Sequence, residues 1–310
     1  GFFRQLRIAL YIATFIPCLL AYAEVYAGAT PLLPFIPDGW LDFRAGILRC
    51  RSTFFHPIAY ACFLNLVFPF VLVEFLSTRQ SKVRLLMGGL GISILVAALL
   101  TVSRAPWIIL ALEVAALLAW ECRKDIRRMV FILTIGLIVV SSAFLSYQLN
   151  DTVESLFQPF INPGQVEEGS SEYYRVVVFE AVWARVQSPR IFFGYGPNAF
   201  NYANIEVTYD NTTRILLEPD LHYARILFEF GAIGSGLILL LIARGIWRSI
   251  RSLREATPEQ QRWILAALAG VVGFVLVNFT VSMFPMFPLG MIFWMCLAIA
   301  LRGSLGTEQA

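Results

Sequence analysis

"FHPIAYACFLNLVFPFVLVEFL", residues 55–76, decides the fold class. The run contains one acid, Glu74, and no lysine or arginine. A helix rising ~1.5 Å per residue crosses the apolar part of a bilayer with roughly 20 such residues, so this segment is long enough to span. His56-Pro57 opens it, and proline suits the first turn of a helix.

Working outward, comparable apolar runs lie near 6–23, 85–101, 106–120, 129–147, 221–243, 263–282 and 285–301. The reading is an all-α polytopic membrane protein with about eight transmembrane helices. Composition agrees: 58% hydrophobic, 14% aromatic and only 15% charged residues, with a mean hydropathy of +0.70, lie outside the range of soluble domains. The first run has a second reading. Arg4 and Arg7, an apolar stretch and then Ala21-Tyr22-Ala23 imitate a secretory signal with a small-residue cleavage site. Against it, the chain begins with glycine, as a piece of a longer protein would. Five cysteines, at 18, 50, 62, 122 and 296, show no CxxC and no metal-ligand spacing, and read as small apolar fillers.

Three connections are basic: Arg79, Lys82 and Arg84; Arg123, Lys124, Arg127 and Arg128; and Arg244, Arg248, Arg251, Arg254 and Arg262. The positive-inside bias makes them cytoplasmic. They follow the second, fourth and sixth runs, so both termini are expected in the cytoplasm. The expected organisation is five spans over 1–147, a large extracytoplasmic loop with amphipathic helices over 148–220, and three spans over 221–310. That loop far exceeds what a connection needs, and such loops usually carry function.

The outer side carries nine cations, all arginine, among them Arg49, Arg51, Arg104, Arg175, Arg214 and Arg225. A planar fork grips phosphate bidentately. The alternative is preference, since the chain has 22 arginines and two lysines. Arg104, in "LLTVSRAPWIIL" (99–110), sits in a turn too short to let it wander. An ionisable residue there is expensive and suspected of function, with snorkelling to headgroups as the other reading.

In "EPDLHYARILFEFGAIG" (218–234), Asp220 is the expected N-cap of a helix. His222, Arg225, Ile226 and Glu229 then share one face. Exposed amides at a helix start favour an anion, and a neutral imidazole beside a bound phosphate can accept a proton. The plain alternative is an interfacial histidine bonded to the loop. Glu229 lies about two turns below His222 and is expected to partner Arg225 rather than act directly. Glu180 is read as a solvent-face residue, "GYGPNAF" (194–200) as a turn cluster, and His56 as a structural helix start or a second candidate base.

Four stretches in order carry a resemblance: "RCRSTFFHPIAYACFLNLVFPF" (49–70), "LTVSRAPW" (100–107), "YYRVVVFEAVWARVQSPRIFFGYGPNAF" (173–200) and "HYARILFEFGAIG" (222–234). From about 44 to 245 the chain resembles the bacterial O-antigen ligase and polymerase superfamily, in which a histidine after a large loop opens a helix ending in Glu-x-Gly, here Glu229 and Gly231. The resemblance implies a helical, GT-C-like membrane fold in the bacterial inner membrane with its active site at the periplasmic face. It also implies transfer of a glycan from undecaprenyl pyrophosphate to an acceptor hydroxyl, on lipid A core or another glycan, without metal or other cofactor. His222 matches the family's proposed base, Arg104 and Arg175 match arginines that hold the pyrophosphate, and Arg214 is a weaker match. Arg225 and Arg51 join them as candidates. Two departures stand out. Tyr223 replaces a small polar residue such as Asn, and eight spans are fewer than the usual ten to twelve, which suggests missing N-terminal helices.

Other classes fit less well. A carrier of lipid-linked anions would show internal repeats and helices broken near the midplane. No repeat is visible. A lipid phosphatase needs a histidine shortly after Ser103-Arg104, where Ala, Pro and Trp stand. No Gly-x-Ser-x-Gly or His-Glu-x-x-His motif is present. A scaffold would leave Arg104 and His222 unexplained. Ligase and polymerase differ only in acceptor, and the long loop with its single histidine leans toward ligase.

Overall fold

The protein is described by a computed structural model covering residues 2–26, 42–44, 47–121, 134, 171–186, 190–209, 212–216 and 221–302. The described residues form eight helices and two short antiparallel hairpins: α1 (Phe2–Tyr26), β1 (Phe43–Arg44), β2 (Ile47–Leu48), α2 (Pro57–Ser77), α3 (Ser81–Leu100), α4 (Arg104–Glu121), α5 (Ser171–Val186), β3 (Ile205–Tyr209), β4 (Thr212–Leu216), α6 (His222–Ser252), α7 (Pro258–Val277) and α8 (Leu289–Arg302).

Seven of the eight apolar runs coincide with helices, and the run at 129–147 falls outside the described residues apart from Thr134. Five helices, α1, α2, α3, α6 and α7, are long and apolar enough to cross a membrane, and α8 is a shorter apolar helix. The chain is a multi-pass membrane protein. α4 holds three charges, Arg104, Glu113 and Glu121, so it is apolar only between them. Two boundaries differ from expectation. α7 stops at Val277, where a turn takes over, and α6 runs on to Ser252 because arginines three and four residues apart continue a helix without breaking it.

The bundle is built around α2, which packs on α3, α4 and α7 with α1 and α8 beside it. Seventeen of its 21 residues are buried, so it is apolar all round rather than striped. Its neighbours approach closely where they are small. Gly270 of α7 lies against the backbone of Leu66, and a side chain at Gly273 would overlap Glu113 and Ile109 of α4. At the far end Arg7 pairs with Glu74 and covers the Trp263 ring, tying α1 to α2 and α7. Thr257 and Gln260 close a capping box at the start of α7, with Pro258 in its first turn.

A second, smaller core lies at the other end. α5 places Val178, Val182 and Val186 against Ile205 and Val207 of β3, Leu216 of β4, and Ala224 and Phe228 of α6. The first turns of α6 therefore belong to this layer and its remainder to the bundle.

Candidate functional site

His222 is the first residue of α6. Asp220 was the expected N-cap. The cap position is instead Leu221, which supplies no side-chain bond, and residue 220 lies outside the described residues. The free N–H of His222 donates across to the carbonyl oxygen of Asn278, just past α7 (3.3 Å). A first-turn amide needs an outside partner, and here a neighbouring element provides it.

The imidazole sits against the same turn. Its Nδ1 lies 3.1 Å from Ser282 Oγ. Phe284 stacks on the ring at 4.9 Å between centroids, with Tyr223 edge-on at 6.0 Å. Asn278, fully buried, organises this turn: its Oδ1 accepts from the N–H groups of Met283 (2.9 Å) and Phe284 (3.3 Å), and its Nδ2 donates to the Phe274 carbonyl. One turn on, Arg225 Nε donates to Glu229 Oε1 at 3.1 Å, both side chains buried, which is the pairing their spacing predicts. Tyr223 donates its hydroxyl to the Val275 carbonyl (2.7 Å).

The first turns of α6, about two and a half of them, carry these groups and are separated from the rest of the helix by Gly231, at φ 65° and ψ −175°. A straight helix would bond the N–H groups of Ala232 and Ile233 to the carbonyls of Phe228 and Glu229. Segment 191–196 takes all four groups instead. Tyr195 and Gly196 donate to the Phe228 (2.9 Å) and Glu229 (2.8 Å) carbonyls, and Ala232 and Ile233 donate to those of Ile191 (2.7 Å) and Phe192 (3.2 Å). Only glycine fits at either centre of the exchange, since a Cβ on Gly194 or Gly231 would overlap the opposing backbone. The stretch read as a turn cluster is thus the clamp that sets the angle of the His222 segment. The Glu-x-Gly signature marks a break inside a helix rather than its end.

The arginines divide. Gly273 of α7 meets Ile109 of antiparallel α4, so Asn278, five residues on, and Arg104, five residues back, lie at one end of the bundle. Arg104 starts α4 there, half-buried. Its turn is held by Arg49, whose Nε donates to the Thr101 carbonyl (2.9 Å), Nη2 to Ser103 Oγ (2.9 Å) and Nη1 to Asp42 (2.7 Å). Arg49 is therefore spent on backbone and neighbours, which its membership of the outer arginine set did not predict. Arg51 is buried, with its own N–H on Glu24 Oε2 (3.2 Å). Arg175 is half-buried on α5, beside the second core, and Arg214 stands on β4 opposite Val207. Glu180 is exposed, as expected.

His56 is at the same end but differently employed. It is the N-cap of α2, its Nδ1 accepting from the Ile58 N–H at 3.1 Å ahead of Pro57. Burial and the Arg49 charge lower its pKa to about 4, against a weaker opposing pull from Asp42. It is the structural helix start.

Sequence reasoning missed Ser282 and Asn278. Residues 88–239 match the family model described as O-Antigen ligase. The match includes Arg104, Arg175, Arg214, His222, Arg225 and Glu229, and leaves out Arg51, His56 and Ser282. No curated protein matches the chain.

Proposed function

We propose that this protein, whose residues 88–239 match the O-antigen ligase family model, carries out the ligase- or polymerase-type transfer of lipid-linked glycans associated with that superfamily, moving a glycan from undecaprenyl pyrophosphate to an acceptor hydroxyl, here O-antigen ligation to lipid A core. The observation that carries the reading is His222, buried at a helix start with Nδ1 on Ser282, leaving Nε2 as its remaining nitrogen, at the end of the bundle where Arg104 begins α4.

His222 Nε2 takes the proton of the acceptor hydroxyl as the oxygen's electron pair forms the bond to the anomeric carbon. The bond from that carbon to the pyrophosphate oxygen breaks and the lipid pyrophosphate leaves as an anion. Arg104, Arg175, Arg214 and Arg225 meet its developing charge in place of a metal ion. A single displacement inverts the carbon. Glu229 holds Arg225 rather than substrate, and Arg51, buried with its side chain on the Phe55 carbonyl, is a further candidate for the pyrophosphate. In this reading the His222 end is periplasmic, the basic connections and both termini of this chain are cytoplasmic, and the loop at 148–220 separates spans 1–147 from 221–310.

Polymerase is the second reading, with another lipid-linked glycan as acceptor, and the shared chemistry leaves the same residues in the same roles. The break at Gly231 is a feature that carriers use, but its freed backbone groups are taken by segment 191–196 rather than offered to a cargo. The test is a transfer assay with purified protein and lipid-linked glycan donor in EDTA, with and without lipid A core, for wild type and His222→Ala. Product on lipid A core that the variant fails to make is the expected result. Ladders formed from donor alone mean polymerase, and no product from folded protein with either acceptor means a carrier.

A further inference from the structure

We propose that Ser282 is the positioning residue that holds His222 in the tautomer protonated on Nδ1, so that Nε2 is the bare nitrogen. The use of that nitrogen as the base rests on the function proposed above; the tautomer itself rests on the contact between the two side chains.

Nδ1 and Ser282 Oγ are 3.1 Å apart, and both residues are buried, at 8% and 3% exposure. The pairing is built rather than incidental. Asn278 binds the His222 backbone through its carbonyl, and the same residue's side chain accepts the two amides that follow Ser282. Phe284, which sits on the imidazole face, is one of those two residues. One buried asparagine, through its backbone carbonyl and its side chain, therefore fixes both partners and the ring plane.

A neutral imidazole has one N–H and one lone pair, on opposite nitrogens. If Nε2 is to take a proton, Nδ1 must already carry one, and after the transfer both do. A buried N–H needs an acceptor throughout. Ser282 Oγ is placed to be that acceptor before and after the step, and as a hydroxyl it rotates to present a lone pair. Its position sixty residues along the chain, outside the region matched to the family, makes it a feature of the described geometry alone.

The chain's two histidines make the test direct. The full chain, labelled with 15N in the histidine rings and purified in detergent, gives two ring systems, and His56→Gln assigns them. Correlation of each ring nitrogen to the ring C–H protons shows which one bears hydrogen. The expected result is His222 protonated on Nδ1. Ser282→Ala shifts the population toward the Nε2-protonated form and lowers kcat roughly ten- to hundredfold, the scale typical of partners that orient a reacting group, with KM little changed. Ser282→Thr keeps the hydroxyl and restores both. An Nε2-protonated His222 in the wild type, where folding of a variant plays no part, overturns the proposal, as does a tautomer unmoved in Ser282→Ala. If the tautomer behaves as expected while His222→Ala still transfers glycan, the positioning role stands and the base assignment falls.

Discussion

The two histidines stand at equivalent places, each at the start of a helix and at the same end of the bundle, and they have opposite employment. His56 turns Nδ1 back on its own helix, where it caps the Ile58 amide. His222 gives Nδ1 to Ser282 on another element and its own amide to Asn278. A ring used by its own helix is a structural part, whereas a ring held from outside has its position set independently of the helix and its far nitrogen left for other work. Residue type and local position do not separate the two. The origin of the partner does.

The sharpest way to break this contrast is His222→Ala, expected to lower transfer about 10²- to 10⁴-fold, the range of general base catalysis, while the protein still inserts. Assay of membranes with matched protein levels checks it, and wild-type transfer would put His222 in the same class as His56. Next is Arg104→Lys, which keeps charge but loses the fork. A loss of roughly 10²-fold is expected, comparable to removing one preorganised donor, measured as kcat/KM for the lipid-linked donor. Rates within twofold of wild type would mean that Arg104 only anchors the start of α4.

His56→Ala is expected to cost about 1 kcal/mol of stability, the usual worth of a helix cap, with transfer per folded molecule unchanged. His56→Asn, a good cap, recovers most of the loss in a thermal melt. A collapse of activity in folded His56→Ala would erase the distinction between the histidines. The smallest effect is on pH. Because the folded pKa of His56, about 4, lies below the ordinary value near 6.5, the unfolded chain binds the proton first as pH falls. The contribution of this cap is thus fully present above pH 6.5 and is lost progressively between pH 6.5 and about 4. Since the side chain is more than a third exposed, the slope is shallow. Comparing melts of wild type and His56→Asn across that range isolates it, since carboxylates titrate in both: the wild type should lose more Tm on acidification than the variant.

The bundle was legible because a bilayer imposes one length on every span, and runs such as 55–76 and 263–282 show it without reference to anything distant. The Arg225–Glu229 pair was legible for the same reason, since a helix brings residues four apart together. What depended on separation in sequence was not. Ser282 meets His222 across 60 residues and Arg49 meets Ser103 across 54, and neither "NFTVSMF" nor "LRCRS" differs locally from ordinary turn sequence. Gly231 was visible as a signature and the apolar run over 221–243 carries the span past it, but nothing nearby indicates what takes the backbone groups freed at the break. That information lies in Gly194, in the loop.

The exchange between segment 191–196 and α6 also bears on how the protein is made. Four backbone groups around Gly231 bond outside α6, to segment 191–196, and amides and carbonyls left unpaired are costly where water is scarce. Translation delivers residues 191–196 before residue 228, so the segment that completes the break is already synthesised when α6 emerges from the ribosome. The preceding loop thus serves α6 as a template, and a chain with the order of these two segments reversed would have to insert a helix whose missing bonds had not yet been synthesised.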